Sequence, residues 1–130
     1  MRQGSAWMAF AAVGLGSACG AWLRWWLGLR LNPLFANLPL GTLASNLLGG
    51  YLVGVAVAFF AHSQALAPEW RLFAITGFLG GLTTFSTFSA EVVTLMSRGQ
   101  MSWALATAGA HLAGSLGLTA LGIATVRALA

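Results

Sequence analysis

Four stretches of this sequence are each long and apolar enough to cross a bilayer, and together they use nearly all of the chain. A spanning helix needs about 20 mainly apolar residues. The stretches that qualify run from about Gly4 to Leu29, Leu38 to His62, Trp70 to Ser97 and Ser102 to Val126. Composition agrees: of 130 residues 58% are hydrophobic and 6% are charged, against roughly 25% charged in a soluble domain. Six arginines and two glutamates are too few to cover a water-facing surface. Disorder is excluded by the same arithmetic, since low hydrophobicity is its signature. The expectation is an all-α integral membrane protein, a single four-helix domain over residues 1–130.

The breaks between spans hold the expected punctuation. Asn32-Pro33 and Pro39 mark the first, His62-Ser63-Gln64 and Pro68-Glu69 the second, and Ser97-Arg98-Gly99-Gln100 the third. All three prolines fall in or beside loops and none in a helix interior, where it would break the hydrogen-bond ladder. Indoles favour the membrane–water interface, and Trp7, Trp22, Trp25, Trp26, Trp70 and Trp103 all fall near predicted span ends. Span 1 also admits a signal-sequence reading, with Arg2 as basic flank and Gly16–Cys19 as a processing site, but its apolar stretch is longer than a signal core. Cys19 has no second cysteine to pair with, and His62 and His111 lie too far apart in sequence to suggest zinc.

Much of the glycine is spaced for helix contact. Gly16/Gly20 and Gly50/Gly54 are GxxxG pairs, and Ala106, Ala110 and Gly114 extend the small-residue pattern into span 4. Small residues let backbones approach closely in lipid. Four helices are few to enclose a pathway, so an oligomer is expected.

The positive-inside rule counts arginines near span ends. Arg2, Arg71 and Arg127 fall on the N-terminal side and Arg24, Arg30 and Arg98 on the other. An even split leaves two readings. A partner or one decisive loop sets a single orientation, or copies insert both ways and pair antiparallel.

Span 3 carries the unusual chemistry. Gly77, Gly80 and Gly81 weaken a helix interior, and Thr83, Thr84, Ser86, Thr87 and Ser89 follow at once. A break at membrane depth is tolerated where it faces protein or a water-filled cavity, and freed carbonyls can hold a small cation. A flexible kink filled by neighbouring side chains suits the composition equally. Phe85 and Phe88 share a helix face, and a phenyl edge is electropositive, so it can meet an anion without a formal charge. Ordinary packing phenylalanines give the same spacing. Glu91 is the one carboxylate away from a loop, a functional candidate by its depth alone. Asn46 offers an amide in span 2, one turn after Thr42. Thr107, His111, Ser115 and Thr119 recur every four residues along span 4. Hydroxyl, amide and ring-edge donors suit an anion, so the residues suggest a pore or carrier without naming its ion.

The run Gly80-Gly81-Leu82-Thr83-Thr84-Phe85-Ser86-Thr87-Phe88-Ser89-Ala90-Glu91 resembles the signature of the CrcB/Fluc fluoride channel family. Gly41-Thr42-Leu43-Ala44-Ser45-Asn46-Leu47-Leu48-Gly49 and Gly20-Ala21-Trp22-Leu23-Arg24-Trp25 are similar to its motifs in spans 2 and 1. Span 4 matches least, since the family usually has a small hydroxyl residue near His111. The resemblance implies a non-enzymatic, passive fluoride channel in a cell membrane, expected to be the bacterial inner membrane. It implies an antiparallel homodimer in lipid, with two pores, a central structural sodium ion and no nucleic-acid partner. Backbone carbonyls of Gly80 and Thr83 from both subunits would hold the sodium. Phe85, Phe88 and Asn46 would meet fluoride, with Ser115, Thr119, Thr84, Thr87 and Glu91 lining the route. Arg24 would sit in a vestibule or tie helix ends together. The alternative is a small dual-topology, proton-coupled drug exporter. That class commonly carries its exchange carboxylate in span 1, and span 1 has none here.

Overall fold

The computed structural model describes residues 3–130; Arg2, counted above in the charge balance, lies outside the described residues. The chain runs as α1 (Gln3–Leu31), a short 3₁₀ turn (Asn32–Leu34), α2 (Leu40–His62), α3 (Pro68–Ser97) and α4 (Met101–Leu129). All four helices have the length and apolarity to cross a membrane. Their ends fall within three residues of the expected ones. Local chemistry explains the boundaries. Pro33 opens the 3₁₀ turn, Pro39 is the N-cap of α2 and Pro68 starts α3, positions where a missing N–H costs nothing. Among the described residues Gly99 alone has a positive φ, 74°, and it makes the tight turn between α3 and α4.

Two helix pairs form the bundle. One runs between α2 and α4, and in the other α1 packs along the first half of α3. Glycine makes both possible. A Cβ on Gly20 would run into the Phe78 carbonyl and the Leu82 N–H, and one on Gly54 into the Thr119 carbonyl. The expected small face of α4 holds only in part: Gly114 meets the Leu47 side chain, whereas Ala106 is exposed. The face that α4 buries carries Ala104, Thr107, His111 and Gly122 instead.

The interior inverts the pattern of a soluble protein. Of the largest fully buried side chains, Leu82, Thr107 and Ser45, two are hydroxyls, while Trp7, Phe10, Trp22, Trp25 and Leu112 lie on the outside. Lipid solvates the apolar surface, so polar groups gather where helices meet.

α3 is the irregular element. It passes from Pro68–Arg71 into a π-helical segment, Leu72–Leu79, and then a single α-turn, Gly80–Leu82. Thr83 and Thr84 are extended, at φ/ψ −89/155 and −149/122, before Phe85–Ser97 resumes the α-helix. π-segments are rare and concentrate at functional sites.

Gly20→Val places a branched side chain against α3 backbone that cannot withdraw. It should cost about 1–3 kcal/mol or more of stability, read as earlier thermal unfolding in detergent. Gly14→Ala, whose new methyl meets nothing within 4 Å, should be neutral or slightly stabilising. Equal losses at both positions would contradict this packing.

Candidate functional site

Where α3 leaves the helical path at Thr83 and Thr84, its backbone groups must find other partners. In an unbroken helix the Thr84 N–H would close on the Gly80 carbonyl; it donates to Asn46 Oδ1 instead, at 2.8 Å. The Thr84 carbonyl accepts from Asn46 Nδ2 at 2.9 Å. The side-chain amide of Asn46 thus pairs with both backbone groups of one residue, as a neighbouring strand would. Thr84 caps the second half of α3, its Oγ1 accepting from the Thr87 N–H at 3.1 Å. The Gly81 carbonyl accepts from Arg24 Nε at 3.0 Å. Thr83 bonds back to the Leu79 carbonyl through its hydroxyl at 2.8 Å and its N–H at 3.0 Å.

Arg24 lies two turns before the end of α1, further from that end than the charge count assumed. Of the two roles left open for it, its bond to Gly81 is a tie between helices.

Asn46 Nδ2 also meets His111 Nδ1 at 2.9 Å. The His111 ring lies 4.5 Å from the Phe88 ring, tilted by 34°, and Phe88 meets Phe85 edge to face at 5.6 Å. Asn46, Thr83, Thr84, Phe85, Phe88, His111 and Ser115 belong to the wall of one open cavity of about 410 Å³. Phe85, 78% exposed, stands at it.

One helical turn away, the polar contacts change character. Thr42 Oγ1 donates to Glu91 Oε1 at 2.6 Å, joining α2 to the second half of α3. Thr42, Glu91 and Thr107 are each one turn from Asn46, Phe88 and His111 in the direction that antiparallel neighbours require, so three helices meet at this level. Among the described residues Glu91 Oε2, Thr107 Oγ1 and His111 Nε2 are buried without a hydrogen-bond partner.

The candidates from the sequence therefore divide. Asn46, Thr84, Phe85, Phe88, Gly80, Thr83 and Ser115 come together at the cavity, and Glu91 sits one turn beyond. Both amide hydrogens of Asn46 are engaged by Thr84 and His111. Thr119 spends its hydroxyl hydrogen on the Gly50 carbonyl at 2.8 Å, and Thr87 offers its backbone N–H to the cap. Thr107 stands out in the sequence only as a member of the four-residue polar stripe with His111, Ser115 and Thr119, and that stripe is itself the signal that both face other helices. Among the described residues no cluster of three or more His, Cys, Asp or Glu side chains is placed to hold a metal, so a cation here would depend on backbone carbonyls. Two phenyl rings, the His111 ring and the hydroxyl residues Thr83, Thr84 and Ser115 stand around a mostly apolar cavity. This suits brief contact with a small anion better than tight binding.

Comparison with known proteins gives the same direction. Residues 11–123 match the family described as CrcB-like protein, Camphor Resistance (CrcB). A protein of Nitrosospira multiformis named fluoride-specific ion channel FluC is 65% identical, over 94% of this chain and 95% of its own. Proteins of the same name from Dechloromonas aromatica and Pseudomonas putida are 64% and 60% identical, covering 92% and 88% of this chain and 88% and 90% of theirs. With four bilayer-length apolar helices and a match over most of its length, this multi-pass membrane protein belongs to the CrcB/Fluc family.

Proposed function

We propose that the protein is a passive, fluoride-selective channel that lets cytoplasmic fluoride leave across the bacterial inner membrane. The observation that carries this reading is the identity with proteins named fluoride-specific ion channels along nearly the whole chain. The site fits the ion. Fluoride is small and strongly hydrated, so it is drawn from water by several modest donors in succession, and it must not be held too tightly to leave. Ring edges of Phe85 and Phe88, with hydroxyls of Ser115 and its neighbours, supply such contacts without a fixed positive charge in the route. Thr84 and Thr87 shape the start of the second half of α3 beside the rings, and Glu91 extends the polar lining by a turn. The membrane potential drives the anion outward, and HF entering from an acidic medium replenishes it inside.

The working unit in this reading is an antiparallel homodimer with two pores. Phe85 and Gly80 are exposed on a single chain, and a second copy would cover them. The balanced arginines suit insertion in both orientations. A central sodium ion would be held by the carbonyls of Gly80 and Thr83 from both copies. The N–H groups that would otherwise close on those carbonyls, from Thr84 and Thr87, bond to Asn46 and to the Thr84 hydroxyl, so the carbonyls fit a cation. The ion would supply a fixed positive charge that offsets the repulsion of facing carbonyls. The drug-exporter alternative is not favoured: Glu91, its one intramembrane carboxylate, is tied to Thr42, and the relatives carry another name.

Purified protein in liposomes should release fluoride far faster than empty liposomes and leave chloride behind; no excess release from an intact protein would refute the channel. Phe85→Ile with Phe88→Ile should cut the flux by at least about tenfold, equivalent to about 1.4 kcal/mol, with assembly retained by gel filtration. Lysines added to the loops of one side should bias insertion. Such chains should conduct poorly alone and recover when two oppositely biased variants are expressed together. Full activity from one biased variant would instead argue for parallel assembly.

A further inference from the structure

We propose that Asn32 is a positioning residue for the anion route: its side-chain oxygen caps α2 from the end of α1 and thereby sets the Thr42 hydroxyl on Glu91. The place of Glu91 in the polar lining belongs to the fluoride reading above, and the proposal rests on it. Pro39 is the N-cap of α2 and makes no side-chain cap bond, since its ring carries no acceptor. The first bond of the helix runs from the Leu43 N–H to the Pro39 carbonyl at 3.2 Å, so the N–H groups before Leu43 need partners from outside the helix. An N-cap side chain ordinarily supplies an acceptor for the second or third of them. Here Asn32 supplies it from across the loop: Oδ1 accepts from the Gly41 N–H at 2.7 Å and from the Thr42 N–H at 3.1 Å. Both partners are donors, so the oxygen of the amide, and not its nitrogen, must face them.

Packing creates the need for this cap. α2 starts against the last turns of α1, where a Cβ on Gly41 would strike the Leu27 carbonyl, the Gly28 Cα and Asn32 Oδ1. Only glycine fits, and glycine weakens the turn it sits in. Asn32 holds that turn closed at Gly41 and at the residue after it. Thr42 is where the turn meets the site. It is 5% exposed, and its Oγ1 donates to Glu91 Oε1 at 2.6 Å. Threonine is branched at Cβ and stiff about χ1, so fixing the backbone of Thr42 fixes where its hydroxyl points. That hydroxyl ties the Glu91 side chain to α2. An acidic side chain freed from the tie would swing within the lining, where its bulk, and its charge when ionised, oppose an anion. Asn32 lies outside the cavity wall and acts on the route through Thr42.

The test measures fluoride efflux from liposomes carrying the full-length protein, with assembly checked by gel filtration. Asn32→Leu keeps the volume but has no acceptor, and it should slow efflux by about fivefold, the scale of one lost helix cap. Asn32→Asp keeps the oxygen in place, with its charge at a helix N-terminus where it is favoured, and should restore most of the flux. Coupling separates positioning from plain stability. Thr42→Val retains the backbone N–H and drops the hydroxyl, so it should slow efflux to a similar degree by itself. Adding Asn32→Leu to Thr42→Val should then slow efflux little further, while still lowering the temperature of unfolding in detergent. An Asn32→Leu variant that conducts like wild type, an aspartate that restores nothing, or two flux losses that multiply would each overturn the proposal. If Asn32→Leu fails to assemble, Asn32→Ala stands in for it with the same expectations. Wild type and Asn32→Leu that conduct equally sink this assignment and leave the channel standing; wild type that releases no fluoride sinks both.

Discussion

In a bilayer a helix can leave its path only where other groups take over the hydrogen bonds it abandons, and in this protein the side chain of Asn46 does that for Thr84. A primary amide is a peptide bond on a short stem, with an acceptor and a donor side by side. Placed against the extended Thr84 it satisfies both backbone groups at 2.8 and 2.9 Å. Without it, two polar groups would be stranded in a low-dielectric interior, each costing several kcal/mol. The pair also sets the geometry around it. It ties α2 to the middle of α3, and through Nδ2 it fixes the orientation of His111 on α4. The two helix pairs of the bundle are thereby joined at the level of the cavity.

The packing around that joint follows from it. For a short side chain such as asparagine to reach the α3 backbone, α2 must lie close to α3, and Gly49 permits this: a Cβ there would strike the Thr83 side chain. On the other flank Gly81 lies against the Ser17 carbonyl of α1, which brings the Gly81 carbonyl within reach of Arg24. An arginine inside a membrane is costly unless its donors are used. Here the one arginine drawn away from a helix end uses Nε on a carbonyl that the end of the α-turn leaves open. The scarce charge is here applied to backbone.

Four helices, their ends, the loop prolines and the small contact faces of α1 and α2 were legible in the sequence because each follows from a local rule: apolar length, ring strain or side-chain volume. The crowding of glycine and hydroxyl residues from Gly77 to Ser89 also marked the stretch where α3 is irregular. The partners were not legible. Asn46 and Thr84 are 38 residues apart, and nothing local distinguishes an asparagine that clamps backbone from one that faces an ion. The π-helical segment Leu72–Leu79 was missed for a related reason: its sequence is as apolar as an α-helical one, and nothing local separates an i→i+5 from an i→i+4 bonding pattern. The face of α4 was misread at Ala106 because small-residue spacing alone fits more than one stripe, and the polar stripe through Thr107 and His111 is the one buried.

That stripe bears on how a neutral pathway can be selective. Hydroxyls and ring nitrogens both donate and accept, so a row of them has no inherent preference for an anion. Preference arises when their accepting side is already used. His111 accepts at Nδ1 from Asn46, which leaves an N–H as the ring's remaining polar group. Thr84 Oγ1 already accepts from the Thr87 N–H. Phe85 and Phe88 turn edges rather than faces outward from an edge-to-face pair in only some arrangements, and the stacking of Phe88 on His111 restricts which ones. Thr83 and Thr119 are set the other way, their hydroxyl hydrogens spent on the Leu79 and Gly50 carbonyls, so the polarity of the site is decided residue by residue, by which side of each neutral group the backbone has already used.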